Sequence, residues 1–304
     1  MIELHERSRR ISPSRIHEIL LEHDCKSVTD PFMGLPTHLN YLKGHGISVH
    51  GGDLLEWFVR VGEGIVVNDL TILRDSEVAE IVEMLPGRIY SIDMFKAWEG
   101  VFFSEEQCVY LGVWHDNVRN LRSDQQTGLA VLGLWRAFCY WLQKIQSPDD
   151  MQDIPPSELA WSYIRQTEQW VISNMRRNTI RQGDVLATIA AQKTDALFLA
   201  PPARNSFRSS DSRIWMWEAW WQGNPYFTIE HAYRDSLLGA RASDGPSYAR
   251  AIATILSSAE SIPLIVMQTT EQRIADLEPL VRNARANVKV FAPHPYEMYL
   301  IATH

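Results

Sequence analysis

Cysteine is scarce in this chain. The 304 residues include three, Cys25, Cys108 and Cys139, far apart and without a CxxC pair. That excludes a disulfide framework and a zinc ribbon, so the thiols are expected to be reduced and partly buried. The ten histidines lack metal-ligand spacing, and His294 before Pro295 reads as a turn residue, so no metal is expected. Long apolar runs are missing too: none approaches the roughly 18 residues of a membrane span. The opening residues, with Glu3, Glu6, Arg7, Arg9 and Arg10, lack the apolar core of a secretory signal. A cytoplasmic location without a membrane partner is the resulting expectation. Positive charge is in deficit, with a formal net charge of −8, which argues against a broadly basic surface for nucleic acid. Arginines do gather at Arg176, Arg177, Arg181, Arg204, Arg208 and Arg213. They form either a local basic face or a scatter of solvated side chains.

What is present is globular: 45% hydrophobic and 22% charged residues, close to soluble-protein averages. Apolar spacing predicts a helix over 14–23, a strand over 26–29, a helix through Leu39 and Leu42 closing near Gly44 and Gly46, a strand from Ile47 into Gly51-Gly52-Asp53, and a helix over 54–70. This β-α-β-α start implies a parallel sheet with right-handed crossovers. Residues 71–173 turn helical, with helices expected over 76–84, 104–122, 128–145 and 161–174 and a proline-bearing loop over 149–156. The α/β rhythm then returns. Strands are expected over 178–182, 196–199 and 263–267, helices over 185–192, 214–221, 229–238, 248–258 and 271–286, and a final antiparallel hairpin over 288–291 and 297–302. The predicted organisation is an α/β domain from 1–70 and 174–304 with an inserted helical subdomain at 71–173.

Asp30-Pro31-Phe32-Met33-Gly34-Leu35-Pro36-Thr37 follows the first strand, and Asp53 ends the second. Gly183-Asp184 follows the third, and Ala200-Pro201-Pro202-Ala203 ends the fourth. Small residues after a first strand let backbone approach a nucleotide-like ligand, and an acid after the second accepts bonds from ribose hydroxyls. In this order, these stretches resemble the adenine-specific DNA methyltransferases of the S-adenosylmethionine-dependent superfamily, over about residues 14 to 304. Phe102-Phe103-Ser104-Glu105-Glu106 is similar to a stretch in divergent, DNA-adenine-methylase-like proteins. The resemblance implies a Rossmann-like methyltransferase fold, with a mostly parallel seven-stranded sheet, and S-adenosylmethionine as cofactor. It places Asp30, Phe32, Gly34, Pro36, Asp53 and Asp184 at the cofactor, and DNA or another nucleic acid as partner. Pro36 stands where the family has a second glycine, removing a donor and adding bulk. Asp184 serves equally as an N-cap for the next helix.

The same resemblance sets Ala200, Pro201, Pro202 and Ala203 at the family's [D/N]-P-P-[Y/F/W] motif. There the first residue and the adjacent carbonyl accept hydrogen bonds from the target amine, and the aromatic ring stacks on a flipped base. Ala200 has no acceptor and Ala203 no ring. Losing one positioned polar group at a reaction centre costs on the order of 10²–10³ in rate. A catalytically impaired relative is therefore expected. The alternatives are an active methyltransferase on a different nucleic-acid or small-amine substrate, with Asn205 as acceptor ahead of Ser206 and Asp211, and a non-enzymatic interaction module. Trp215, Trp217, Trp220 and Trp221 read as a helix packing on the sheet in preference to a substrate groove. Trp135, Phe138 and Trp141 have the spacing of a helical core.

Overall fold

Short runs between turn residues supply the strands, continuously apolar over 196–199 and 264–267 and mixed with polar residues elsewhere. The computed structural model describes residues 12–147, 151–204, 212–239 and 242–304. Its strands are β1 (Ser27–Asp30), β2 (Ser48–Asp53), β3 (Thr179–Gln182), β4 (Ala196–Leu199), β5 (Leu264–Thr269), β6 (Asn287–His294) and β7 (Glu297–Thr303). Its α-helices are α1 (Pro13–Glu22), α2 (Thr37–Gly44), α3 (Glu56–Gly62), α4 (Asp75–Val82), α5 (Glu105–Val118), α6 (Asp124–Gln146), α7 (Pro156–Arg165), α8 (Val185–Ala191), α9 (Ser212–Trp221), α10 (Ile229–Tyr233), α11 (Gly245–Ser258) and α12 (Glu271–Ala284). Among the described residues, no helix is long and apolar enough to cross a membrane.

The strands form one seven-stranded sheet in the order β3-β2-β1-β4-β5-β7-β6. β1 to β5 are mutually parallel, and β7 is antiparallel to both β5 and β6. The hairpin β6–β7 therefore closes the sheet with its second strand placed inside. Ala196 to Leu199 are all buried, as a continuous apolar strand must be when both faces are covered. On one face Leu197, Leu199, Ile265, Met267 and Leu300 pack with Val185 and Ile189 of α8, Ile252 and Ile255 of α11, and Leu277 and Val281 of α12. The opposite face carries α2, whose His38 ring lies 5.7 Å from Phe198. Asp195, just before β4, accepts from the Lys26 and Ser27 amides at 2.8 and 2.9 Å and from the Ser27 hydroxyl at 2.8 Å. One carboxylate thus fixes where β1 and β4 start.

Two compact units divide the chain. The described residues within Met1–Leu54, Asn174–Ser206 and Tyr233–His304 make the sheet unit, and those within Leu55–Ser173 and Phe207–Ala232 make the helical unit. The helical unit thus begins at Leu55, earlier than the expected residue 71, and takes in α9 as well. The reason is packing. Trp57 of α3 lies 5.4 Å from Trp135 of α6, and Trp217 of α9 lies 5.1 Å from Phe138 of α6 and stacks on Trp220 at 3.9 Å. Of the tryptophans expected on the sheet, Trp217, Trp220 and Trp221 are buried in the core of this unit instead. Two helix readings also change. The segment expected as one helix over 161–174 is α7, begun earlier by Pro155 at its N-cap and Pro156 at its first position, followed by a 3₁₀ turn at Gln166–Trp170. The helix expected over 54–70 is α3 continued by a π turn at Glu63–Val67.

Within the helical unit, α3 has Leu55 at its N-cap, which offers no side-chain acceptor. Glu218 of α9 supplies one, accepting from the Glu56 amide at 3.3 Å and the Trp57 amide at 3.1 Å. Burial raises the Glu218 carboxyl above the ordinary range, opposed by bonds from the Gln222 amide and from the Trp57 and Glu56 backbone. The folded state therefore holds the Glu218 proton to a higher pH than the unfolded chain does. This contribution to stability is complete below the unfolded value and falls as pH rises through the folded one. Urea midpoints taken from about pH 4 to 8 should show the advantage of wild type over Glu218→Gln shrinking with pH and then levelling. Parallel pH profiles for the two proteins would show that Glu218 does not titrate in this way.

Candidate functional site

The direction of winding reverses between β1 and β4, which are adjacent and parallel, with Val28 opposite Ala196 and Thr29 opposite Leu197. Chain leaving the carboxyl ends of these two strands emerges on one rim of the sheet. In open α/β sheets this switch point is where ligands bind. The segments issuing there are 30–36 from β1 and 200–204 from β4, with Asp53 at the end of neighbouring β2.

Asp30 is fully buried, and its carboxylate faces inward. One oxygen accepts from the Phe32 amide at 2.8 Å and the other pairs with His38 Nε2 at 2.6 Å. Asp30 therefore shapes the loop, and both its oxygens are engaged in doing so. Phe32 is half-buried against the core of the sheet. Gly34 adopts φ +54, in the left-handed region that favours glycine, and a Cβ built there meets nothing within 4 Å. The space beside Gly34 is open. Pro36 is buried at the N-cap of α2, with its carbonyl accepting from the Asn40 amide at 3.0 Å.

Asp53 is 8% exposed and accepts from the Gly34 amide at 2.9 Å, so the two residues expected to share a ligand are joined to each other. The loop is held from below as well, the Met33 amide donating to the Gly52 carbonyl at 3.1 Å. A Cβ on Gly51 would come within 2.6 Å of Met33 Sδ and one on Gly52 within 2.2 Å of Thr188 Oγ1, so a side chain at either position would require these neighbours to move. Asp184 is the N-cap of α8, one oxygen accepting from the Leu186 amide at 3.3 Å and the other from the Leu237 amide at 2.9 Å. Capping and the bond to Leu237 together engage both oxygens of this aspartate. A cleft of about 220 Å³ opens between β2, β3 and α8, but its lining of His50, Thr179, Arg181, Thr188 and Gln192 includes none of the expected site residues.

At the end of β4, Ala200 and Pro201 are buried, Pro202 is half-buried and Ala203 is exposed. Neither proline has an amide hydrogen, so the turn has no donors of its own at these positions. Its carbonyls are taken by side chains from two helices. Arg273, in the first turn of α12, donates to the Pro201 carbonyl at 3.1 Å and the Pro202 carbonyl at 3.3 Å. Tyr248 of α11 donates to the Pro202 carbonyl at 2.9 Å and accepts from Arg273 at 2.7 Å. Asn205, Ser206 and Asp211 lie outside the described residues, as does Arg208.

Arg273 and Tyr248 are the residues that sequence reasoning passed over. A donor to a backbone carbonyl has no sequence signature, and Arg273 is 72 residues from Pro201. His38 was passed over in the same way, though its position on the α2 face one turn beyond the Asp30 loop was a usable signal. Among the described residues, no group of three or more His, Cys, Asp and Glu side chains is gathered as a metal ion would require. Compared with known proteins, the chain matches no family model and no curated protein.

Proposed function

We propose that this chain is a diverged S-adenosylmethionine-dependent methyltransferase-fold protein, akin to the adenine-specific DNA methyltransferases, that keeps a cofactor side of its rim and has lost the amine-gripping side. The strand order supports it: a doubly wound 3-2-1-4-5 sheet closed by an antiparallel hairpin is compatible with the mostly parallel, Rossmann-like sheet that the resemblance implied. The observation that carries the reading is the contrast between two neighbouring strand ends. Beside β1, Gly34 stands next to open space and Asp53 is at hand. Beside β4, Ala200 and Ala203 offer neither an acceptor nor a ring, and the proline carbonyls are occupied.

Calorimetric titration with S-adenosylmethionine tests the first half, and radiolabelled methyl transfer over DNA, RNA and small amines tests the second. The expected result is saturable micromolar binding with no transfer above background. Transfer to any acceptor would return the chain to the active methyltransferases. An absence of binding would leave a module that uses the fold for interaction alone.

A further inference from the structure

We propose that Arg273, braced by Tyr248, is a positioning residue that closes the β4 turn against amines by holding the carbonyl such a substrate would need. This rests on the methyltransferase reading of the rim and deepens it: the site is shut by a cation as well as by the lack of an acceptor at Ala200 and of a ring at Ala203.

Four hydrogen bonds close the device. Arg273 Nη1 reaches the Pro201 carbonyl, Nη2 reaches both the Pro202 carbonyl and Tyr248 Oη, and Tyr248 Oη returns to the Pro202 carbonyl. Charge-assisted bonds are roughly twice as strong as neutral ones, so a neutral amine does not displace the guanidinium from Pro201. A second bond to the other lone pair of that carbonyl would set the amine beside a fixed positive charge. Methyl transfer makes this worse as it proceeds. The nitrogen lone pair forms the new bond to the methyl carbon, and the carbon–sulfur bond breaks with its electrons passing to sulfur. The positive charge thereby moves from the sulfonium to the nitrogen, which then releases a proton to solvent. A cation 3.1 Å from the anchoring carbonyl opposes the charge that develops, the reverse of the electrostatic help an active site supplies.

The test compares wild type, Tyr248→Phe, the double variant Ala200→Asp with Ala203→Tyr, and the triple variant that adds Arg273→Met. Each is titrated with S-adenosylmethionine and assayed for radiolabelled methyl transfer to adenine-containing single-stranded and duplex DNA. Arginine side-chain NMR follows rotation of the Arg273 guanidinium in wild type and Tyr248→Phe. The expected results are slow rotation in wild type, faster rotation in Tyr248→Phe, and transfer by the triple variant on the order of 10²-fold above the double. Free rotation in wild type overturns the clamp whatever the enzymology. Equal transfer by double and triple variants overturns it as the barrier, and so does a triple variant that binds cofactor without transferring. If no variant binds S-adenosylmethionine, the methyltransferase reading fails, and the rotation measurement alone decides whether the turn is held.

Discussion

Gly128→Ala should lower stability by about 3 kcal/mol, at the upper end of the usual cost of overpacking. Alanine is by itself the better helix former by about 1 kcal/mol, so the sign of the change is decided by space. Gly128 in α6 faces the π turn that extends α3. A Cβ built on it lies 2.0 Å from the Arg60 carbonyl oxygen and 2.5 Å from the Gly64 nitrogen, and a Cβ on Gly64 lies 2.6 Å from Gly128 backbone. Every one of these neighbours is backbone, which no rotamer change can move aside. The two helical segments touch main chain to main chain, and one methyl group has to push them apart. Urea unfolding of Gly128→Ala beside Gln143→Ala, an exposed position on the same helix, separates the crossing from helix propensity. The control should stay within about 0.5 kcal/mol of wild type.

Arg285→Met is expected to cost the sheet unit about 3 kcal/mol, the range for removing one member of a buried charged hydrogen-bond network. Arg285 is 4% exposed. Its guanidinium donates to the carbonyls of Ala259 at 2.6 Å, Glu260 at 3.1 Å and Ile262 at 3.1 Å, and contacts the His304 ring at 2.9 Å. Those carbonyls belong to the turn leaving α11, whose Ala259 carbonyl also accepts from the Ile262 amide at 3.0 Å, and a cation is favoured beyond a helix C-terminus. Methionine retains much of the apolar stem and none of the donors, so the loss reports the bonds. Arg285→Lys should recover little, because a point ammonium cannot serve three carbonyls set around a planar fork. A lysine variant as stable as wild type would show that charge alone matters here.

Much of the sheet was legible in the sequence because period and punctuation agreed. β4 falls on the expected 196–199, and β1, β3 and β5 lie within two residues of their expected bounds: β4 and β5 carry continuous apolar runs, and β1 and β3 are marked by the turn residues that follow them, Pro31 and Gly183-Asp184. The hairpin at the end of the sheet was expected, but its turn falls later than expected. β6 runs on through Pro293 to His294, which is a strand residue and not the turn residue expected, and the turn is Pro295-Tyr296. Where two signals conflicted, the sequence misled. Pro155 and Pro156 suggested a loop and are the start of α7. The extent of the helical unit was hidden for a different reason: α3 continues the β-α rhythm and α9 follows a sheet strand, and only contacts such as Trp57 with Trp135 assign them.

The candidate site divides in the same way. Gly34 and Asp53 could be paired from spacing, and their hydrogen bond joins them. The partner of Asp30 and the clamp on Pro201 could not be found, because both are supplied by side chains whose approach depends on the finished sheet.

The chain leaves the sheet twice for the helical unit, once between β2 and β3 and again between β4 and β5. β3 can dock on β2 only after a long helical stretch has been made, and Ser27 meets its partner Asp195 168 residues later. Closing such loops costs entropy before any strand contact repays it, so refolding should be slow for a chain of this size. During synthesis, β1 and β2 would wait as an incomplete ribbon, with one flank of each open to wrong partners, until the ribosome delivers β3 and β4.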